Sequence, residues 1–235
     1  MLDSLIAREH RGPLRALLSR LLGVYYTCTG LDRYDNYRLE RVAGMPILVI
    51  PTVANPKLLR TGAFLAAQLD GAVLNADTRV LDMGAGSGVC ALAAARVAHR
   101  VVGVDINPVA VRCAGINALL NRLEARVEFR HGDLFTPVAG ERFDLVLFNP
   151  PFLIGAPRDA RDAAWRGVDV ARRFATELRA HLTETGSALL LLSSFGDASA
   201  VFEAELRRNG FVLGVHARRR YVNETVTILR VQVGS

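Results

Sequence analysis

From residue 79 to the end of the chain, segments typical of β-strands alternate with segments typical of α-helices. Alternation of this kind is produced by right-handed crossovers, in which helices connect parallel strands of one sheet. The predicted strands are residues 79–83, 100–104, 126–130, 143–148, 187–192, 211–216 and 225–233, and the predicted helices are 88–98, 108–121, 163–182 and 198–209.

The last two predicted strands have no helix between them. Residues 217–224 form a hairpin-like loop in this interpretation, so the final strand, 225–233, is predicted to run antiparallel to its neighbours. The pattern therefore indicates an α/β fold of the doubly wound type, with a seven-stranded, mostly parallel sheet and an antiparallel last strand.

The first part of the chain has a different pattern. Residues 3–22 have helical periodicity, residues 24–46 have no regular pattern, residues 47–50 form a short strand candidate, and residues 57–69 look helical. We therefore predict a short N-terminal helical extension or lid at 1–45 and one main domain at 46–235.

Charge and cysteine content limit the functional classes. The net charge of +6 is compatible with an acidic partner such as RNA, and equally with an arginine-rich surface that binds nothing. The sequence has no uncharged apolar run of about 18 residues, so neither a membrane-spanning helix nor a membrane partner is expected. Cys28, Cys90 and Cys113 are too few and too scattered for a disulfide framework or a metal cluster. A cytoplasmic protein without a metal is the expectation.

A glycine-rich turn follows the predicted strand at 79–83. Glycine lets the backbone adopt positive φ and approach a ligand closely. The spacing, Gly-x-Gly-x-Gly, is neither the dinucleotide-binding pattern nor a phosphate-binding loop with a following lysine. A carboxylate two residues ahead of it, on Asp82, would repel a pyrophosphate but suit a cationic amino group. The candidate cofactor-binding residues here are Asp82, Gly84, Ala85, Gly86 and Gly88.

Two further acids stand at the ends of the next two predicted strands. Asp105, followed by Ile106, is placed where a carboxylate can accept both hydroxyls of a ribose. Asp133, followed by Leu134, could accept from an adenine amino group. Each of the three acids alone, Asp82 included, could be a strand-end or helix-cap residue. Their succession after the glycine turn favours one nucleoside-binding site.

The tetrapeptide Asn149-Pro150-Pro151-Phe152 follows the buried strand at 143–148. The Asn149 side-chain oxygen and the Pro150 carbonyl can both accept hydrogen bonds from one NH2 group, and proline holds the backbone rigid. The Phe152 ring can stack on a planar group. We interpret Asn149, Pro150 and Phe152 as catalytic, Asn149 also as cofactor-binding, and Pro151 and Phe152 as substrate-binding. The alternative is a structural turn that closes the strand.

Together, these segments resemble the class I methyltransferases that use S-adenosylmethionine, over residues 45–235. The tetrapeptide resembles the [Asn/Asp]-Pro-Pro-[Tyr/Phe] signature of enzymes that methylate planar nitrogens, including release-factor glutamine methyltransferases and adenine-N6 and guanine-N2 methyltransferases. Residues 105–121, 162–167 and 218–230 are similar to the glutamine group. The resemblance implies a Rossmann-like fold and S-adenosyl-L-methionine as cofactor. It departs at Phe152, where the glutamine group has Tyr, and at residues 1–45.

The leading hypothesis is an N-methyltransferase acting on a protein glutamine or on an exocyclic amine of a nucleobase in RNA. Trp165, the single tryptophan, is then a substrate contact, or otherwise a core or lid residue. The alternative is a small-molecule methyltransferase of specialised metabolism, with residues 1–45 as its lid. A third reading is a non-catalytic module that binds the cofactor or RNA.

Overall fold

The structure is a computed structural model that describes residues 36–157, 166–222 and 224–234. The helix predicted at 3–22, Cys28 and Trp165 lie outside these residues. Among the helices that the structure describes, none is both long and apolar enough to cross a membrane.

Eleven strands and six α-helices are present in the described residues. The strands are β1 (Arg38–Val42), β2 (Met45–Val49), β3 (Arg79–Met83), β4 (Arg100–Asp105), β5 (Val127–His131), β6 (Phe143–Phe148), β7 (Leu153–Ile154), β8 (Arg166–Gly167), β9 (Leu182–Ser193), β10 (Phe211–Arg220) and β11 (Thr225–Val233). The helices are α1 (Pro56–Leu59), α2 (Thr61–Ala66), α3 (Val89–Ala95), α4 (Pro108–Leu120), α5 (Val170–Leu178) and α6 (Ala198–Arg208).

Seven strands form the main sheet, in the order β10-β11-β9-β6-β3-β4-β5. β3 pairs in parallel with β4 and with β6, and β11 is antiparallel to both β9 and β10. The predicted Rossmann-like sheet with an antiparallel last strand is therefore confirmed. Because the chain runs from β3 outward to β5 and then returns to β6 on the other side of β3, the topological switch lies between β3 and β6.

Side chains that alternate along the central strands fill two cores, one on each face of the sheet. On one face, Leu147 and Leu191 pack with α2, α3, α4 and the β1–β2 hairpin. On the other face, Phe148 and Leu190 pack with α5 and α6. The central strands are buried on both faces, as expected for a parallel sheet covered by helices.

The last hairpin is longer than predicted. β10 continues to Arg220, so the loop predicted at 217–224 is wrong for residues 217–220. Residues 217–220 pair with residues 225–228 after a register shift between Val215 and Ala217. Because this shift interrupts the alternation of side chains along β10, the sequence pattern did not indicate that the strand continues. β9 also begins early, at Leu182, because Leu182 pairs with Phe143 before a second irregularity.

The helix predicted at 163–182 is shorter and begins later. Arg166 and Gly167 form β8, which pairs in parallel with β7 directly after the tetrapeptide. α5 starts only at Val170, after Asp169 takes a left-handed conformation with φ of 57°. Gly167 has no room for a side chain, because a Cβ would lie 2.5 Å from a methyl group of Val170.

Two N-terminal predictions are also corrected. Residues 38–42, predicted irregular, form β1 and pair with β2 through a turn at Ala43 and Gly44, both with positive φ. This hairpin includes residues on both sides of the domain boundary predicted at residue 45. The boundary itself stays a prediction. The helix predicted at 57–69 is two short helices, α1 and α2, separated by Arg60 in a left-handed conformation with φ of 60°.

Asn117 of α4 attaches the β1–β2 hairpin to the main domain. Its side chain is fully buried. The Nδ2 group donates to the carbonyls of Leu48 (2.7 Å) and Ser87 (2.9 Å), and Oδ1 accepts from the Leu48 amide (2.7 Å). One amide therefore links β2 to the turn that follows β3.

We expect Asn117→Leu to lower the free energy of unfolding by about 3 kcal/mol, because it leaves buried backbone groups of Leu48 and Ser87 without their partner. Urea denaturation followed by circular dichroism measures this loss. Asn209→Ala is the control, since Asn209 makes a single side-chain bond to Glu205 at the end of α6. Equal losses in the two variants would contradict the role given to Asn117.

Candidate cofactor and acceptor site

The predicted site residues meet at the carboxyl edge of the sheet. The glycine turn follows β3, Asp105 ends β4, Asp133 follows β5, and Asn149 follows β6. Because β6, β3, β4 and β5 are neighbours in that order, these four segments line one edge. The crevice at the switch between β3 and β6 lies between the glycine turn and Asn149, where open α/β sheets bind ligands.

The glycine turn is tight and is attached to the neighbouring strand. Gly84, Gly86 and Gly88 have φ of 68°, 57° and 82°, which disfavours any other residue. The Gly84 and Ala85 amides both donate to the Val104 carbonyl, at 2.8 and 3.0 Å, so the turn is attached to β4. A Cβ on Gly88 would come within 3.0 Å of Ala114 and Phe129.

Asp105 connects the end of β4 to this turn. Its Oδ2 accepts from the Gly86 amide (2.7 Å) and its Oδ1 accepts from the Asn107 amide (2.8 Å). Burial raises the pKa of Asp105, while the two amide bonds and His131 act in the opposite direction. Each carboxylate oxygen keeps a second lone pair, which can accept from a hydroxyl. Ile106 is exposed and offers an apolar surface beside it.

Asp82 lies below the turn. Its side chain is buried, and its Oδ2 accepts from the Ala91 amide (2.8 Å) in the first turn of α3. Burial raises its pKa to about 7; the Ala91 bond lowers the pKa and the nearby Asp105 raises it. Asp82 therefore caps α3, as the alternative interpretation of these acids allowed. Its contact with a cationic amino group stays a prediction.

Asp133 is partly exposed beyond β5. Its carboxylate accepts from Arg173 Nη2 of α5 at 2.8 Å. The next residue, Leu134, is buried and has a φ of 46°. Sequence reasoning missed Arg173, since it lies 40 positions away on a surface helix with no motif around it. Recognition of an amino group by Asp133 stays a prediction, and Arg173 would share that carboxylate.

Asn149 has one satisfied and one unsatisfied side-chain atom. Its Nδ2 donates to Thr61 Oγ1 at 3.2 Å, at the start of α2. Its Oδ1 is buried and has no hydrogen-bond partner among the described residues. A buried amide oxygen without a partner costs about 1–3 kcal/mol, which an N–H of a ligand would recover. Thr61 was also missed, because no local pattern links residues 61 and 149.

The rest of the tetrapeptide is held by its backbone. The Phe152 carbonyl accepts from the Asp197 and Ala198 amides, both at 3.2 Å, at the start of α6. Gly196 must be glycine here, since a Cβ would lie 2.2 Å from that carbonyl oxygen. Pro150 is buried, Pro151 is half-buried and the Phe152 side chain is 8% exposed. Only a small part of the Phe152 surface is left to stack on an acceptor, and that role stays a prediction.

The arrangement fits S-adenosylmethionine. The positive-φ glycines allow a ligand to lie against the backbone, and the Asp105 carboxylate next to them suits ribose hydroxyls. The unpartnered Asn149 oxygen is a hydrogen-bond acceptor and so suits a ligand that carries an N–H rather than an anion. A dinucleotide or a nucleoside triphosphate would instead bring phosphates next to Asp82 and Asp105.

Comparison with known proteins agrees with this chemistry. The family model described as "Methyltransferase small domain" matches residues 55–216. A Methanocaldococcus jannaschii protein named "Putative protein N5-glutamine methyltransferase" is 34% identical over 159 residues, which are 64% of this chain and 79% of that protein. The ribosomal RNA small subunit methyltransferase C of Alcanivorax borkumensis is 34% identical over 146 residues, which are 62% of this chain and 42% of that protein.

A solved structure has the same fold. The Thermus thermophilus 16S rRNA N2 G1207 methyltransferase, in complex with AdoMet and guanosine, superposes with a TM-score of 0.60 at 22% identity, over 84% of this chain and 50% of that chain. The chain thus spans most of the M. jannaschii protein but half or less of the two ribosomal RNA enzymes.

We expect Gly88→Ala to weaken binding of S-adenosylhomocysteine, because the added methyl group strains a φ of 82° and crowds Ala114 and Phe129. Isothermal titration calorimetry should show at least about a tenfold rise in Kd, which corresponds to about 1.4 kcal/mol. Gly115→Ala on α4 is the matched control, since nothing lies within 4 Å of its added Cβ. Unchanged affinity in Gly88→Ala would contradict a cofactor site at this turn.

The raised pKa of Asp82 predicts a pH dependence of stability. Folded Asp82 keeps a proton up to about pH 7, whereas in the unfolded chain the same carboxyl has its ordinary pKa of 3.8. Between these values the folded state binds more protons, so the free energy of unfolding falls as pH rises, by up to about 1.4 kcal/mol per pH unit. Asp82→Asn should flatten this decline in urea titrations from pH 4 to pH 8. The exposed control Asp77→Asn should not. A decline of unchanged slope in Asp82→Asn would refute the assignment.

Proposed function

We propose that the methyl acceptor of this enzyme is a protein glutamine. The chain belongs to the methyltransferase small domain family and is an S-adenosylmethionine-dependent methyltransferase of nitrogen acceptors. The observation that carries the proposal is the buried Asn149 Oδ1, which has no partner in the described part of the chain and lies at the switch crevice. A primary amide brings the N–H that this oxygen lacks.

When bound, S-adenosylmethionine supplies an electrophilic methyl group. The glycine turn and Asp105 would hold it across the edge of β3 and β4. Asn149 Oδ1 and the Pro150 carbonyl would each accept one N–H of the acceptor amide. This pairing draws electron density onto nitrogen and fixes the direction of its lone pair. The nitrogen would bond the methyl carbon as the carbon–sulfur bond breaks, which leaves the thioether S-adenosylhomocysteine, and one of its two protons would be lost to solvent. Positioning and polar complementarity would then carry the catalysis.

Two features favour a glutamine side chain. The M. jannaschii relative, of which this chain covers 79%, is named for N5-glutamine methylation. Pro150 is also buried and Phe152 is 8% exposed, so little of the tetrapeptide surface is open to an acceptor. A slender side-chain amide fits such a space with less rearrangement than a base drawn out of a stack.

A nucleobase amine in RNA is the second candidate. The net charge is +6, and the end of β10, residues 218–220, carries three arginines at the same edge of the sheet as Asn149. The A. borkumensis relative is a ribosomal RNA methyltransferase. Positive charge at this edge would attract a phosphate backbone. Either acceptor is consistent with a cytoplasmic enzyme, which we propose as its location.

The acceptor test uses S-adenosylmethionine labelled in its methyl group and three fractions of a cell extract: protein, RNA and small molecules. We expect label in the protein fraction, recovered as N5-methylglutamine after complete enzymatic digestion and mass spectrometry. Asn149→Ala should abolish the labelling yet fold normally, and it is the control for contaminating enzymes. Label confined to RNA would establish the second candidate, and label confined to small molecules would show a metabolic enzyme instead.

A further inference from the structure

Thr61 is hydrogen-bonded to the side chain of Asn149. It is the first residue of α2 and its side chain is 2% exposed. Its Oγ1 lies 3.2 Å from Asn149 Nδ2 and accepts the hydrogen bond. The contact joins positions 61 and 149, so it forms only when α2 packs against the end of β6.

An asparagine amide can present either its oxygen or its nitrogen in a given direction, and its hydrogen-bond partners decide which. With Nδ2 bonded to Thr61, Oδ1 is the atom left for a ligand. Rotation of the amide by 180° would aim two N–H groups at the two N–H groups of an acceptor amide. A threonine hydroxyl can donate as well as accept, so the contact with Thr61 holds the Asn149 amide in place at the end of β6, and the orientation shown leaves Oδ1 for an acceptor N–H.

α2 is held in place from two sides. The Arg60 guanidinium lies 5.0 Å from the centroid of the Tyr221 ring, and Arg219 lies 4.6 Å from that of Phe64. These two cation–π contacts connect the start and middle of α2 to the β10–β11 hairpin. The left-handed Arg60 also separates α1 from α2, so that Thr61 begins a new helix.

The opposite side of α2 packs on α3, directly after the glycine turn. Cys90 Sγ lies 3.5 Å from the Gly62 carbonyl, and a Cβ on Gly62 would lie 3.2 Å from Val89. The helix that carries Thr61 is thus in contact with the helix that starts at Gly88. The helix that carries Thr61 is therefore in contact both with Asn149 and with the helix that follows the glycine turn.

We propose that Thr61 is a positioning residue, whose hydroxyl holds the Asn149 amide in place at the acceptor end of the crevice. This inference rests on the proposed role of Asn149 in holding the acceptor. It does not depend on whether that acceptor is a glutamine or a nucleobase amine, because both present N–H donors to the same oxygen. Misplacement of a reacting group by about 1 Å can cost roughly 100-fold in rate.

The test compares Thr61→Val, which keeps the shape and removes the hydroxyl, with Thr61→Ser, which keeps the hydroxyl. Thr183→Val is the matched control, since Thr183 Oγ1 bonds Asp144 at the opposite edge of the sheet. The maximal rate of methyl transfer is measured with the extract fraction that the wild-type enzyme labels. Binding of S-adenosylhomocysteine is measured by calorimetry. The ¹⁵N–¹H spectrum of the Asn149 side-chain amide, assigned by its absence in Asn149→Ala, needs no acceptor.

We expect Thr61→Val to lose at least about tenfold in maximal rate, and up to about 100-fold, with a smaller change in S-adenosylhomocysteine affinity. The Asn149 amide signal should lose its protection from solvent exchange. Thr61→Ser should restore both the rate and the protection, and Thr183→Val should keep both.

Three results would overturn the proposal: a Thr61→Val rate within twofold of wild type, equal losses in Thr61→Val and Thr61→Ser, or an Asn149 amide signal that is unchanged in Thr61→Val. If Asn149→Ala itself kept full turnover, the proposed function of Asn149 would fail first. A dead Asn149→Ala beside a fully active Thr61→Val would refute the role of Thr61 alone.

Discussion

The pairing of β3 with β4 on one side and β6 on the other is the constraint on which the site depends. Because the chain leaves β3 in one direction and returns to its other side, the connections separate and a crevice opens at the carboxyl edge. The glycine turn and Asn149 come from the two strands that flank this crevice. Parallel register brings them level, since Met83 pairs with Phe148 directly before both.

Buried polar side chains then fix the shape of that edge. Asp82 caps α3, Asp105 accepts from the glycine turn, and Asn117 bonds the carbonyl of Ser87 within the turn. Each of these groups has protein partners, as buried polar groups generally do. Asn149 Oδ1 differs, since it is buried and without a partner in the described residues. Within the described residues, Asn149 Oδ1 is thus an unmet acceptor at the crevice, where we propose that the acceptor nitrogen binds.

The central part of the fold was predictable because its signals are local. Buried strands and a glycine turn have short-range patterns, and the bounds predicted for β3, β6 and β11 match the structure. The errors fall where strand pairing or a backbone conformation decides, rather than a residue pattern. β1 forms because it pairs with β2, Arg166 and Gly167 form a strand because they pair with β7, and Arg60 divides two helices within one helical pattern. The contacts of Thr61 with Asn149 and of Arg173 with Asp133 join residues far apart in sequence, so no motif contains them.

The most direct measurement is a crystal structure of the enzyme with S-adenosylhomocysteine and an acceptor peptide containing glutamine. We expect the nucleoside along the glycine turn and Asp105, and the acceptor amide nitrogen about 2.7–3.2 Å from both Asn149 Oδ1 and the Pro150 carbonyl. A nucleoside bound elsewhere, or an Asn149 oxygen that bonds only to protein or water while the acceptor nitrogen lies outside the crevice, would contradict this arrangement.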